Sequence, residues 1–159
     1  MMNDPQWAIL GKFLVALVLG GIIGWEREIS DKPAGLRTHM IVVGAACLLI
    51  CMTSLMGGGF KSGLEGEGFF RTDPLRVVQG IIVGISFLGA GTIIRRGGGE
   101  KVEGLTTAAS IWLASVIGIY VGLAQYIVAI AVTLITVFVL HWLDRAIAKV
   151  RIQKTEDRR

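Results

Sequence analysis

Glu26, Arg27 and Glu28 stand side by side, and Arg37, Thr38 and His39 follow after a short connection containing proline and glycine. Arg95, then Thr106 and Thr107, flank the next apolar runs, as do Asp73 and Arg76. Carboxylates beside guanidiniums form charge-assisted hydrogen bonds. These residue types therefore point to an ion-paired network, which is a structural clamp, a gate or a docking surface. They do not point to catalysis. The chain has no Ser/His/Asp set, phosphate loop, HExxH or CxxC motif. The expectation is a protein that is not an enzyme and needs no cofactor. Cys47 and Cys51 share one helical face, without His or carboxylate partners nearby, and read as small packing residues rather than metal ligands. Glu65 and Glu67 read as solvated loop charges.

Elements must hold Glu26 to Glu28, Arg37 to His39, Arg95, Thr106 and Thr107 at one level, with Asp73 and Arg76 at a helix start on the other side, and the sequence says what solvent those elements sit in. After Glu103 there is no Asp, Glu, Lys or Arg until Asp144, a gap of 40 residues. A spanning helix takes roughly 20 predominantly apolar residues, so the gap holds two spans back to back. Other charge-free runs cover Phe13 to Trp25, Thr38 to Phe60 and Val77 to Ile94. Lipid offers backbone groups no water, so spans are helices or closed barrels. These runs are too long for barrel strands and do not alternate polar with apolar, so they are helices. The fold class is all-α, a polytopic membrane protein with five transmembrane helices. They are placed at about Trp7–Trp25, Thr38–Met56, Leu75–Ile94, Leu105–Val121 and Tyr126–Leu143. Residues 1–145 form the transmembrane domain and 146–159 a basic cytoplasmic tail.

Charge asymmetry sets the direction. Arg27, Lys32 and Arg37, then Arg95, Arg96 and Lys101, then Arg145, Lys149, Arg151, Lys154, Arg158 and Arg159 fall on one side if the spans alternate. The other side has Lys61, Arg71 and Arg76. The positive-inside rule puts the N-terminus outside and the C-terminus in the cytoplasm. The basic residues signal topology, not nucleic acid; the obligatory partner is the lipid bilayer. The first span carries no cation before it and no Ala-x-Ala site after it, so it reads as a retained helix.

Three small-xxx-small pairs, Gly20/Gly24, Gly80/Gly84 and Gly118/Gly122, each place two glycines on one helix face. Such faces let helix backbones approach closely within the bundle or against a partner. Lys12 is expected to snorkel to the outer interface, Trp112 to pack inside the bundle, and Asp73-Pro74 to start the third helix.

The stretch Asp73–Trp112, DPLRVVQGIIVGISFLGAGTIIRRGGGEKVEGLTTAASIW, with GLRTH at Gly35–His39, resembles the MgtC/SapB family of bacterial inner-membrane proteins over roughly residues 7 to 145. The matching pieces are GLRTH, DPxR, FLGAGxIxR and GLTTAAxxW. The resemblance implies five spans, a cytoplasmic C-terminus, and links to magnesium limitation and acid stress. ATP synthase is a partner in related proteins. Those relatives tend to carry Asn at the position of Thr106 and Cys at that of Leu113, and they end in an ACT-like domain. This chain resembles the shorter SapB/YhiD-like branch, and that partner is not carried over.

Two functions remain from this reading, beside a scaffold with no ion or nucleotide role. One is a regulatory inner-membrane protein acting through another membrane complex. The alternative is a small Mg²⁺ or cation transporter or channel working as a homo-oligomer. A magnesium conduit would use carboxylates, and the interiors of the five expected spans contain no Asp or Glu.

Overall fold

The computed structural model describes residues 5–59, 74–96 and 101–156. In chain order the elements are α1 (Pro5–Ile29), α2 (Leu36–Gly59), α3 (Pro74–Gly91), β1 (Ile94–Arg96), β2 (Lys101–Glu103), α4 (Leu105–Gly122) and α5 (Tyr126–Glu156). Each apolar run has become a helix. α1, α3, α4 and the Leu36–Leu55 part of α2 are long and apolar enough to cross a membrane, and α5 opens with a shorter apolar stretch, Tyr126–Trp142. Large apolar side chains point outward along them: Val83 is 70% exposed, Phe87 85% and Ile127 86%. Water would penalise such a surface, whereas lipid tails solvate it. The chain is an all-α, multi-pass membrane protein.

The helices run alternately up and down. Gly20 and Gly24 of α1 lie against His39 and Leu36 of α2 in antiparallel order. Gly118 and Gly122 of α4 meet Val43 and Ile50 of α2 in parallel order, and Gly89 near the end of α3 meets Ala108 near the start of α4. Leu140 of α5 reaches the end of α1 at Arg27. Thus α5's apolar stretch covers the same depth as the longer helices. α4 touches all four others. Its side facing them carries Ser110, Ala114, Gly118 and Gly122 at four-residue spacing, all buried. This small-residue seam is where α2 sits. The core around it includes Ala16, Ile23, Val43, Cys47, Ile111, Ile117 and Val121. Cys47 and Cys51 are buried there as packing residues, 0% and 3% exposed.

Two tight turns have the same construction. After α1, Lys32 N–H donates to the Arg27 carbonyl and Asp31 N–H to that of Glu28. After α4, Gln125 N–H donates to Tyr120 and Ala124 N–H to Val121. Each is a Schellman ending, and its left-handed residue is Asp31 (φ 52°) or Ala124 (φ 59°).

Several boundaries differ from the expected ones. α1 continues past Trp25 to Ile29, so Glu26, Arg27 and Glu28 are helical rather than loop residues. α3 stops at Gly91, not Ile94. There Thr92 turns back, its N–H and hydroxyl both donating to the Gly89 carbonyl at 3.0 and 2.8 Å. The chain then forms an antiparallel hairpin pairing Ile94 with Glu103, Arg95 with Val102 and Arg96 with Lys101. α5 runs past Leu143 to Glu156. Trp112 is 40% exposed rather than packed inside, because Ile111, Ala114 and Ser115 take the inner face of α4.

Candidate functional site

The end of α1, the starts of α2 and α4 and the late part of α5 converge at one end of the bundle. Helix periodicity decides which polar side chains turn inward. Glu26 and Arg27 face the bundle, 8% and 0% exposed. Glu28 faces out. Arg27 Nε donates to Glu26 Oε2 at 2.5 Å, and Ser30 Oγ donates to the other carboxylate oxygen at 3.0 Å. Arg27 Nη2 reaches the Leu140 carbonyl of α5 at 3.5 Å. A buried guanidinium is tolerated only when a carboxylate and fixed acceptors replace its water. Here α1 supplies the carboxylate and α5 one acceptor.

One step away, His39 is fully buried between α2 and α4. Its Nδ1 lies 3.0 Å from the Gly35 carbonyl and its Nε2 lies 3.1 Å from Ser110 Oγ. Ser110 Oγ in turn donates to the Thr107 carbonyl at 2.9 Å. Thr107 is itself buried at 2% exposure. Arg27 and Glu26 are the charged groups acting on the His39 ring.

Glu28 has a different task. Its carboxylate accepts the Leu36 N–H at 2.9 Å and so caps the first turn of α2. A negative group there also complements the positive end of the helix dipole. The same carboxylate occupies the space where a Cβ on Gly35 would stand. Two letters of GLRTH thus have physical roles: Gly35 leaves room for the cap, and His39 ties α2 to α4. Gly104, which opens GLTTAAxxW, has φ 91° and sits where a Cβ would strike the Thr92 carbonyl.

The expected cluster therefore separates into parts. Glu26, Arg27, His39 and Thr107 form its buried centre. Glu28, Arg37 and Thr106 are exposed around it, with Thr38 partly buried. Arg76 is at the other end, where its place in the sequence put it: it lies in the first turn of α3, thirteen residues before Gly89, which is about 20 Å along a helix. Asp73, Glu65, Glu67 and the side chain of Arg95 lie outside the described residues. Sequence reading missed Ser30, Ser110 and the Leu140 carbonyl. Ser30 carried a signal, since it follows Glu26 by four residues, the spacing that brings helix side chains together. Ser110 is 71 positions from His39 and gave none.

Lys12 lies at the opposite end. Its ammonium donates to the Gly122 carbonyl at 2.8 Å. It caps the C-terminus of α4, where a cation complements the helix dipole. Among the described residues, no group of three or more His, Cys, Asp or Glu is placed to hold a metal.

With this geometry in place, relatives can be compared. The MgtC family profile matches residues 13–148. Protein SapB of Bacillus subtilis is 36% identical over 160 residues, 98% of this chain and 65% of SapB. YhiD of Escherichia coli strain K12 is 35% identical over 134 residues, 82% of this chain and 60% of YhiD. Protein MgtC of Brucella abortus is 35% identical over 135 residues, 85% of this chain and 50% of that protein. The chain spans between half and two thirds of the length of these curated relatives. No solved structure matches it. The matched segment takes in α1 from Phe13, the buried Glu26–Arg27–His39–Ser110 group and most of α5, and the chain belongs to the MgtC family.

Proposed function

We propose that this chain is a non-enzymatic regulator of the bacterial inner membrane that acts by docking a helix of another membrane protein against α3. The single observation carrying this is the fate of the three glycine pairs. At Gly20 and Gly24 a Cβ would stand 2.7 Å from the backbone of α2, and at Gly122 2.8 Å from Ile50. Those pairs are used up inside the molecule. At Gly80 and Gly84 nothing lies within 4 Å. That face borders an apolar groove of about 530 Å³ between α2 and α3, lined by Ile41, Ala45, Leu49 and Leu88 among others. A glycine pair in lipid is most useful where a helix comes close, and the open space at this one supports a partner helix there. By charge asymmetry, the Arg27 end of the bundle and the C-terminus face the cytoplasm.

The Escherichia coli relative carries the name "Putative magnesium transporter YhiD", so magnesium supply is the setting proposed for the regulation. The same name keeps a second reading, a cation transporter working as a homo-oligomer. Against it, Glu26 is the acid buried within α1, and its charge is already matched by Arg27 and Ser30.

A photo-crosslinking residue at Val83 or Phe87 in native membranes tests the proposal. It is expected to capture a larger membrane protein, and Gly84→Leu is expected to abolish the capture while the protein still folds. Recovery of self-crosslinks alone, together with protein-dependent Mg²⁺ flux into liposomes, would replace regulation by oligomeric transport.

A further inference from the structure

The apolar groove between α2 and α3 has an arginine at each end. Along α2 its wall includes Ile41, Ala45 and Leu49, and Arg37 stands four residues before Ile41. Along α3 the wall includes Gly80, Gly84 and Leu88, and Arg76 stands four residues before Gly80. Residues four apart are neighbours on one helix face, so each arginine continues the face that lines the groove. α2 and α3 run in opposite directions, so the two arginines mark opposite ends. Both are exposed. Between them the lining is Ala, Val, Ile, Leu, Met and Gly alone.

The dimensions follow from helix geometry. The wall covers residues 41–52 of α2 and 77–88 of α3, which is about 16 Å on each at 1.5 Å per residue. Arg37 lies one turn beyond one end and Arg76 one residue beyond the other. Their Cα atoms are therefore roughly 24 Å apart along the bundle, the rise of roughly 16 helical residues.

We infer that the helix received by this groove is acid-flanked: an apolar span with a carboxylate at each end, one meeting Arg37 and the other Arg76. This deepens the docking reading above and rests on it. Guanidinium and carboxylate pair through charge-assisted, often bidentate bonds. Arginine has five N–H donors, so a contact of Arg76 inside the chain leaves donors for a second acceptor. The stretch between the two acids must be uncharged, because the groove offers a buried charge no polar side chain. A phospholipid spans half of the roughly 30 Å core, so one lipid meets one arginine, whereas a spanning helix meets both. The open glycine pair also suits a helix, whose backbone gains most from close approach.

The test uses three synthetic spanning peptides of Leu and Ala. Each has an uncharged run of about 15 residues, bounded at both ends by Glu, Gln or Lys. Energy transfer from labelled full-length protein to each peptide is measured in phosphatidylcholine vesicles, which carry no net charge. The Glu peptide is expected to bind about tenfold more tightly than the Gln peptide, the scale of two exposed ion pairs. Arg37→Gln and Arg76→Gln are each expected to remove about threefold of that preference. The double variant Arg37→Glu/Arg76→Glu is expected to favour the Lys peptide instead, and Gly84→Leu to weaken all three peptides. Equal binding of the Glu and Gln peptides to the parent protein would overturn the inference and leave docking at α3 standing. So would a Glu preference that survives both arginine substitutions, or an absence of preference joined to arginine-dependent retention of phosphatidylglycerol, which would assign the two ends to lipid. Failure of every peptide to bind, with Gly84→Leu equal to the parent, would overturn the docking reading and this inference with it.

Discussion

Arg27 of α1 and the backbone carbonyl of Leu140 in α5 stand 3.5 Å apart although 113 positions separate them in sequence. This contact joins the first helix to the last at the level where α2 and α4 begin. The guanidinium is fully buried, and its carboxylate partner is its own neighbour, Glu26. Removing one member of a buried pair strands the other charge, which costs several kcal/mol, whereas replacing both by apolar groups is often neutral. Glu26→Gln and Arg27→Ala are each expected to destabilise the protein by about 3 kcal/mol. The double variant Glu26→Leu/Arg27→Met is expected to recover most of that loss. Unfolding in mixed micelles measures all three. Additive losses in the double variant would show that the pair is not coupled.

The glycine pairs make opposite demands on the same substitution. At Gly20 a Cβ would stand 2.7 Å from the His39 carbonyl oxygen and 2.9 Å from Met40 Cα. Backbone cannot move aside as a flexible side chain can. Gly20→Leu and Gly24→Leu are expected to abolish folding, with loss of the monodisperse peak in size-exclusion chromatography. Gly80→Leu and Gly84→Leu enter open space and are expected to keep it. A folding defect at Gly84 equal to that at Gly20 would show that this face of α3 is already packed within the protein.

Lys12 offers a smaller effect with a clear control. Its ammonium holds the Gly122 carbonyl of α4, and Cys51 Sγ lies 3.9 Å from the same oxygen. Lys12→Met keeps the stem and removes the donor. The expected loss is about 1 kcal/mol, the scale of one hydrogen bond and a helix-end charge. Lys12→Arg is expected to retain most of the stability. Unfolding midpoints of the three proteins compared side by side check this.

Helices were legible in the sequence because lipid leaves an uncharged run of twenty residues no other choice. The polar end of the bundle was legible too, since Glu26, Arg27, His39 and Thr107 flank such runs. Which of them turn inward was not, because burial is decided by a rotation of about 100° per residue once α1 is known to continue to Ile29 rather than end at Trp25. Ser110 was hidden for another reason. A serine inside an apolar helix satisfies itself on the preceding turn, and its tie to His39 exists only after α2 and α4 pack. The partner of Lys12 was hidden because a lone cation in a span has two outlets, headgroups or a helix C-terminus. Sequence does not reveal that α4 ends beside it. The hairpin Ile94–Arg96 with Lys101–Glu103 escaped because its residues are charged and short, resembling any loop between spans.

Ala124 provides a test of the backbone alone. It ends α4 in the left-handed region at φ 59°, where its N–H donates to the Val121 carbonyl at 2.9 Å. A Cβ in that region crowds the following carbonyl and costs roughly 1–2 kcal/mol, which glycine avoids. Glycine loses part of this gain through its looser unfolded chain, by about 0.4–1 kcal/mol. Ala124→Gly is therefore expected to stabilise the protein slightly, by up to about 1 kcal/mol, with no change at the Arg27 end. Ala124→Val, β-branched and crowded in the same conformation, is expected to destabilise it. Chemical denaturation in micelles gives both signs, and a loss of stability in Ala124→Gly would mean that the turn between α4 and α5 does not have the Schellman geometry.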